Sequence, residues 1–150
     1  MLNGQANYTA WYELLPSSSV ILANLTISPE DTMVASIALS TTKAHQFNIQ
    51  ISDITKRQEF STNIVYASTC SSVEWIVERP IINDQISTLA DFGNMTFTGC
   101  SANINNVNDP IAGFSFSKLQ MVDAKYVELT SVSPLTADGS SFTVSYLTSG

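Results

Sequence analysis

The chain has 150 residues and a mass of 16.3 kDa, a one-domain length with enough material to bury a core. Apolar residues make up 44% and the mean hydropathy is +0.12, which excludes a disordered chain. Six Lys and Arg against thirteen Asp and Glu leave a net charge of −7, so no basic stripe is available for nucleic acid or for an anionic membrane surface.

Helical periodicity is nearly absent. Short β-prone runs broken by turn residues recur instead, and they predict strands over 8–15, 20–27, 33–40, 47–54, 59–66, 73–78, 95–104, 114–122, 126–132 and 141–147. Asn3-Gly4 ahead of the first run is a hairpin-type dipeptide. The later breaks are Pro16-Ser-Ser-Ser, Ser28-Pro-Glu-Asp31, Thr55-Lys-Arg57, Asn83-Asp84, Asn108-Asp-Pro110 and Ala137-Asp-Gly139. Two runs alternate cleanly. Phe47, Ile49 and Ile51 oppose Asn48, Gln50 and Ser52, and Phe142, Val144 and Tyr146 oppose Thr143 and Ser145. No linker and no internal repeat interrupts the pattern, which predicts one all-β, antiparallel domain over 1–150. The Asn3-Gly4 turn expects a strand ahead of Met1.

The polar surface is made of hydroxyls and amides, with 21 Ser, 15 Thr and 11 Asn and only 13% charged residues. Such a surface loses few ion pairs on acidification, which fits an acid or extracellular setting and equally fits a β-rich domain with Ser/Thr turns. Histidine chemistry of any kind depends on His45 alone, and Cys70 and Cys100 form one disulfide or none. No metal site or cofactor is expected. No apolar run approaches the ~18 residues of a membrane span, and residues 1–16 lack the basic start and apolar stretch of a signal peptide.

Two stretches carry chemistry. In Ser72-Val-Glu-Trp-Ile-Val-Glu-Arg-Pro80 a strand would put Glu74, Ile76 and Glu78 on one face and Trp75 and Val77 on the other. The two carboxylates then stand roughly 13 Å apart at about 3.3 Å per residue, too far to share a proton, so each needs a partner from a neighbouring strand. The plain alternative is an edge strand with solvated glutamates. In Tyr8-Thr-Ala-Trp-Tyr-Glu-Leu-Leu-Pro16, Thr9, Trp11 and Glu13 share a face, which suits a peptide or sugar cleft or ordinary aromatic packing.

These two stretches, together with Leu89-Ala-Asp-Phe-Gly-Asn-Met-Thr-Phe-Thr-Gly-Cys100 and the intervening Asn-Leu-Thr-Ile-Ser-Pro-Glu-Asp run over 24–31, resemble the glutamic peptidases, the eqolisin or A4 family. The resemblance extends from Tyr8 to the C-terminal strand. It implies a curved, antiparallel two-sheet β-sandwich of the concanavalin A-like, jelly-roll type, a secreted acid endopeptidase, and a peptide or unfolded protein as substrate. It places the catalytic glutamate on Glu78, the general base that activates water and then acts as acid toward the leaving amine. Trp11, Glu13 and Glu74 fall on groove-lining or supporting positions.

The family's second catalytic group is a glutamine in an Ile/Leu-Gln-Thr/Ala-Gly context upstream of the Trp-Tyr-Glu motif. None of Gln5, Gln46, Gln50, Gln58, Gln85 and Gln120 has that context, so the role is assigned to no residue. Position 9 is Thr where fungal members commonly carry an acid. The sandwich is therefore expected to be incomplete on its N-terminal side. Three explanations follow: a piece of a longer peptidase, which is favoured; an inactive relative; or a chain that associates with another to cover its open sheet edges. From a different class comes a non-catalytic peptide- or carbohydrate-binding sandwich using Trp11. By resemblance Cys70 has an upstream partner, so two unpaired cysteines are as acceptable as a Cys70–Cys100 bond. Asn7, Asn24 and Asn94 head glycosylation sequons, meaningful only in a eukaryotic secretory route.

Overall fold

A computed structural model describes residues 6–82 and 84–150. The Asn3-Gly4 turn, Gln5 and the Asn83 half of the Asn83-Asp84 turn lie outside the described residues. The chain divides into two compact units, Met1–Cys70 and Ser71–Gly150. The regular elements are antiparallel strands and one 3₁₀ turn, as the patterning predicts.

In the first unit β1 (Trp11–Tyr12) pairs with β2 (Val20–Ile21). A three-stranded meander follows, β3 (Met33–Leu39), β4 (Gln46–Asp53) and β5 (Gln58–Val65), with β4 central. Its register sets Ile37 against Ile49 and Ile51 against Phe60, so the apolar residues of each strand fall on a common face. Ala10, Leu22 and Leu25 form the buried cluster, and Tyr12, Ile27, Ile51 and Phe60 pack on it. The Tyr12 and Phe60 rings stack at 5.9 Å. Burying each leucine stabilises this unit by about 1.5–3 kcal/mol.

The Lys56-Arg57 tip departs from the solvated turn that the sequence suggests. Arg57 takes the left-handed conformation that closes the β4–β5 hairpin. Lys56 folds inward: its ammonium donates to Thr26 O (2.7 Å), Ser28 Oγ (2.8 Å) and Asp31. Its backbone N–H donates to Asp53 Oδ1 at 2.9 Å.

The second unit holds two small ribbons and one sheet. β6 (Ile81–Ile82) pairs with β7 (Gln85–Ile86), and β9 (Ser101–Ile104) with β10 (Val107–Pro110). The sheet has β12 (Phe142–Tyr146) between β8 (Asn94–Phe97) and β11 (Thr130–Val132). Leu129 is fully buried, with Val144, Leu89, Cys100 and Thr130 also buried. Phe97 stacks on Phe142 at 5.0 Å, and Phe92 meets Tyr146 edge-on.

Several predicted boundaries change. The 95–104 run breaks into β8 and β9 because Gly99 turns the chain at φ +63°. Asn108-Asp-Pro110 belongs to β10 rather than to a turn; the reversal sits two residues earlier, where Asn105 and Asn106 both have positive φ, the pattern of a two-residue hairpin loop. Of 126–132 only the last three residues form a strand, since Tyr126 closes a turn at φ +63° that the Asp123 carboxylate caps through the Lys125 and Val127 N–H groups. The largest departures are 73–78 and 114–122. Both are free of helix, yet neither forms a ladder; the one β-bridge of 114–122 among the described residues is Val122–Glu128.

Candidate active site

Residues 74–79 keep period-two alternation without a paired strand. Trp75, Val77 and Arg79 are half-buried, while Glu74, Ile76 and Glu78 are exposed. This is the face assignment that the sequence implies. Residues from both faces of the segment, Trp75 and Val77 as well as Glu74 and Glu78, line an open groove of about 1160 Å³ in the second unit. Its apolar lining includes Ile76, Phe116, Met121, Val132 and Val144. Two carboxylates beside a mainly apolar trough can bind an extended chain and move protons at one of its amides.

The two glutamates differ in their surroundings. Ser72 Oγ donates to Glu74 Oε1 at 3.2 Å, which orients Glu74. Glu78 has no hydrogen-bond or ion-pair partner among the described residues. Arg79, its neighbour in sequence, donates to Val122 O at 3.5 Å rather than to Glu78. A carboxylate left without a protein partner is available to a water molecule or a peptide group in the groove.

Gln120 is a groove residue to which the sequence reading attaches no role. Its Nε2 donates to Thr130 O at 2.7 Å, anchoring segment 114–121 to β11. The Phe-Ser-Phe-Ser alternation over 114–117 is the one sequence signal that bears on this wall, and continuing it puts Gln120 on the phenylalanine face.

Trp11 and Glu13 share a separate cavity of about 340 Å³ in the first unit. Phe47, Ile49 and Tyr66 complete much of its lining. Tyr66 fixes one side by donating its hydroxyl to Leu15 O at 3.0 Å. Tyr12 and Leu14 line the cavity too, so residues from both faces of 11–14 contribute, and Thr9 is not among them. Cys70 is exposed and Cys100 buried, and both are free thiols; burial raises the Cys100 thiol above its ordinary range.

An antiparallel all-β chain with two glutamates on one face of an extended, groove-lining segment has the makings of a carboxylate hydrolase. Comparison with known proteins gives the class. Residues 1–146 match the Peptidase A4 family model. The chain is 31% identical over 104 residues to aspergillopepsin-2 of Aspergillus niger, a match covering 67% of this chain and 36% of that protein. It thus spans little more than a third of that relative's length. The crystal structure of aspergilloglutamic peptidase from Aspergillus niger superposes with a TM-score of 0.80 at 26% identity, covering 97% of this chain and 83% of that one. The fold is the antiparallel β-sandwich of that peptidase. The chain belongs to the peptidase A4 family, the glutamic peptidases.

Proposed function

We propose that the chain carries the carboxylate half of an acid endopeptidase site, with Glu78 as general base. The observation that carries this reading is the exposed, unpartnered Glu78 carboxylate among the residues that line the groove. In the proposed reaction Glu78 takes a proton from water as the water oxygen bonds to the scissile carbonyl carbon. The carbonyl oxygen becomes an oxyanion, and the protonated Glu78 then delivers its proton to the leaving nitrogen as the C–N bond breaks. A carboxylate base suits acid conditions, because carboxyls as a class ionise about two pH units below imidazole.

Glu74, held by Ser72, supports the groove, and Trp11 and Glu13 line the first unit's own cavity, which suits an apolar side chain. The oxyanion donor is not assigned: Gln120 has one amide hydrogen committed to Thr130 O. The substrate is a peptide or unfolded protein, and the setting is extracellular, in keeping with the low charge content. Residues 1–150 act as one family domain with open sheet edges that association can cover. The test is cleavage of a denatured protein between pH 2 and 6, by this chain and by any longer form of it. Loss of cleavage in Glu78→Gln supports the role, and retained cleavage removes it.

A second reading rests on the 340 Å³ cavity with Trp11 and Glu13: a non-catalytic peptide- or carbohydrate-binding module. Peptide binding unchanged by Glu78→Gln, with no turnover at any pH, favours that reading.

A further inference from the structure

We infer that β3 of the first unit is a self-pairing edge. Two copies of this chain join β3 to β3 antiparallel about a two-fold axis at Ser36, merging their two three-stranded sheets into one. The inference rests on the association across open sheet edges proposed above, names the edge and its partner, and is independent of Glu78.

The backbone sets the geometry. β3 is an edge strand with β4 on one side only. The Ser40 N–H donates to Gln46 O at 2.7 Å, and the Ile54 N–H donates to Thr32 O at 2.9 Å. Hydrogen-bonded and non-hydrogen-bonded pairs alternate along an antiparallel ladder, so the even-numbered residues of β3 direct their N–H and C=O groups at β4. Those of Met33, Ala35, Ile37 and Leu39 point to the open side, and among the described residues they enter no hydrogen bond there.

Nothing on β3 discourages a partner. Edge strands are normally protected by shortness, charge, proline or a covering segment. β3 has seven residues, none charged and none proline, and all but Met33 are exposed. Ile37 is 73% exposed and Leu39 56%. The opposite edge of the same sheet, β5, is protected. It carries Glu59, and loop 24–26 reaches it through Asn24 Nδ2 to Glu59 O and the Thr26 N–H to Gln58 Oε1.

Self-complementarity selects the occupant. An axis at Ser36 sets Met33 against Leu39 and Ala35 against Ile37 of the second copy. These are the residues with open backbone groups, and a register shifted to either side leaves one of them unpaired. Apolar side chains meet apolar ones at these positions, Val34 faces Ala38, and no like charges oppose one another. At the ends, the turn carrying Lys43 meets the turn carrying Glu30. Both residues are exposed and have no ion pair among the described residues. The protected β5 strands become the outer edges of the joined sheet, so growth stops at two copies.

The test is a cysteine cross-link on the 150-residue chain in a Cys70→Ser background, which removes the exposed native thiol. Facing Cα atoms of a non-hydrogen-bonded pair stand about 4.5 Å apart, within disulfide reach. Ser36→Cys should therefore oxidise to a covalent dimer. Val34→Cys and Ala38→Cys should each stay monomeric alone and cross-link when mixed. Sedimentation without oxidant should show a concentration-dependent dimer. Ala35→Pro removes an outward N–H that β4 does not use, and it should weaken the dimer at least about tenfold. Ile37→Lys puts a charge on the same edge at an exposed position and should do likewise, which covers a proline variant that fails to fold. Four results would overturn the inference. The chain could sediment as a monomer at every concentration. Val34→Cys alone could cross-link as well as Ser36→Cys. The dimer could be indifferent to both Ala35→Pro and Ile37→Lys, and so use another surface. Finally, a longer form of the chain carrying Ser36→Cys could stay unlinked, its own polypeptide covering β3.

Discussion

The ammonium of Lys56 stands 3.8 Å from Asp53 Oδ2, a fully buried oxygen with no hydrogen-bond partner among the described residues. Lys56 directs its own hydrogen bonds elsewhere, to Thr26, Ser28 and Asp31. One cation therefore ties loop 26–31 to the β4–β5 hairpin and offsets the charge of a buried carboxylate. Lys56→Met keeps the stem and removes the charge. It should lower the stability of the chain by about 2–3 kcal/mol, mostly by stranding Asp53. Urea unfolding followed by circular dichroism measures this, and a loss below about 0.5 kcal/mol would show the tip to be the solvated turn that its sequence suggests.

Asp31 lies below its ordinary value of 3.8, first because of the Lys56 hydrogen bond and then because the Ser28 N–H donates to it. A depressed folded value means that the stabilisation is fully present above about pH 4 and is lost as pH falls through the still lower folded value. Asp138 behaves alike, held down by the Thr136 hydroxyl and then by the Ser140 hydroxyl and N–H. Both turns should thus outlast moderate acid. Melting temperatures of wild type, Asp31→Asn and Asp138→Asn between pH 2 and 6 check this. The variants should melt below wild type at pH 6, and the gap should close only below the ordinary carboxylate range. A gap closing near pH 5 contradicts the assignment.

Leu129 is fully buried, and its neighbour Thr130 starts β11. Its backbone also receives the Leu147 N–H at 2.9 Å. Leu129→Ala should cost about 3 kcal/mol through lost burial and the cavity left behind. The denaturation midpoint reads this directly, and a cost under about 1 kcal/mol would mean that the site collapses to fill the space.

Gly139 has φ +72°, and a Cβ there would stand 2.3 Å from the Ala112 Cβ. Gly139→Ala should therefore destabilise by more than the roughly 1–3 kcal/mol of left-handed backbone strain alone. The paired change Gly93→Ala supplies the comparison, because that glycine has a similar φ of +63° and nothing within 4 Å of the added carbon. Equal costs for the two would remove the steric part of the explanation.

If Glu78 is the base, Glu78→Gln should reduce cleavage at low pH by at least about a hundredfold, the usual share of general-base catalysis. Glu74→Gln keeps the hydrogen bond from Ser72 and should cost far less. Comparable losses from both would point to the charge of the groove rather than to one base.

The hairpin β4–β5 was legible because its residues alternate strictly and its turn is short, so register and face follow from period two alone. The face of Glu74, Ile76 and Glu78 was legible for the same reason. The pairing of 72–79 was not, because alternation fixes which side chains share a face and says nothing about which backbone lies alongside. The β9–β10 reversal was misplaced because Asp109-Pro110 is a strong local turn signal, whereas the left-handed pair Asn105-Asn106 is recognisable only as a hairpin loop once Val107–Pro110 is known to pair. The inward Lys56 was missed because its partners lie about thirty residues away in sequence.

The two tryptophans are divided between the units, Trp11 in the first and Trp75 in the second. Trp11 is about half exposed and lines its cavity, and Trp75 is half-buried and lines the groove. Each unit thus has its own intrinsic fluorophore. In a Trp11→Phe protein all indole emission comes from Trp75, three residues from Glu78, so wavelength and quenching report on that segment alone. In Trp75→Phe the signal comes from the first unit. The pair of variants allows melting of the two units to be followed separately by light, without labels.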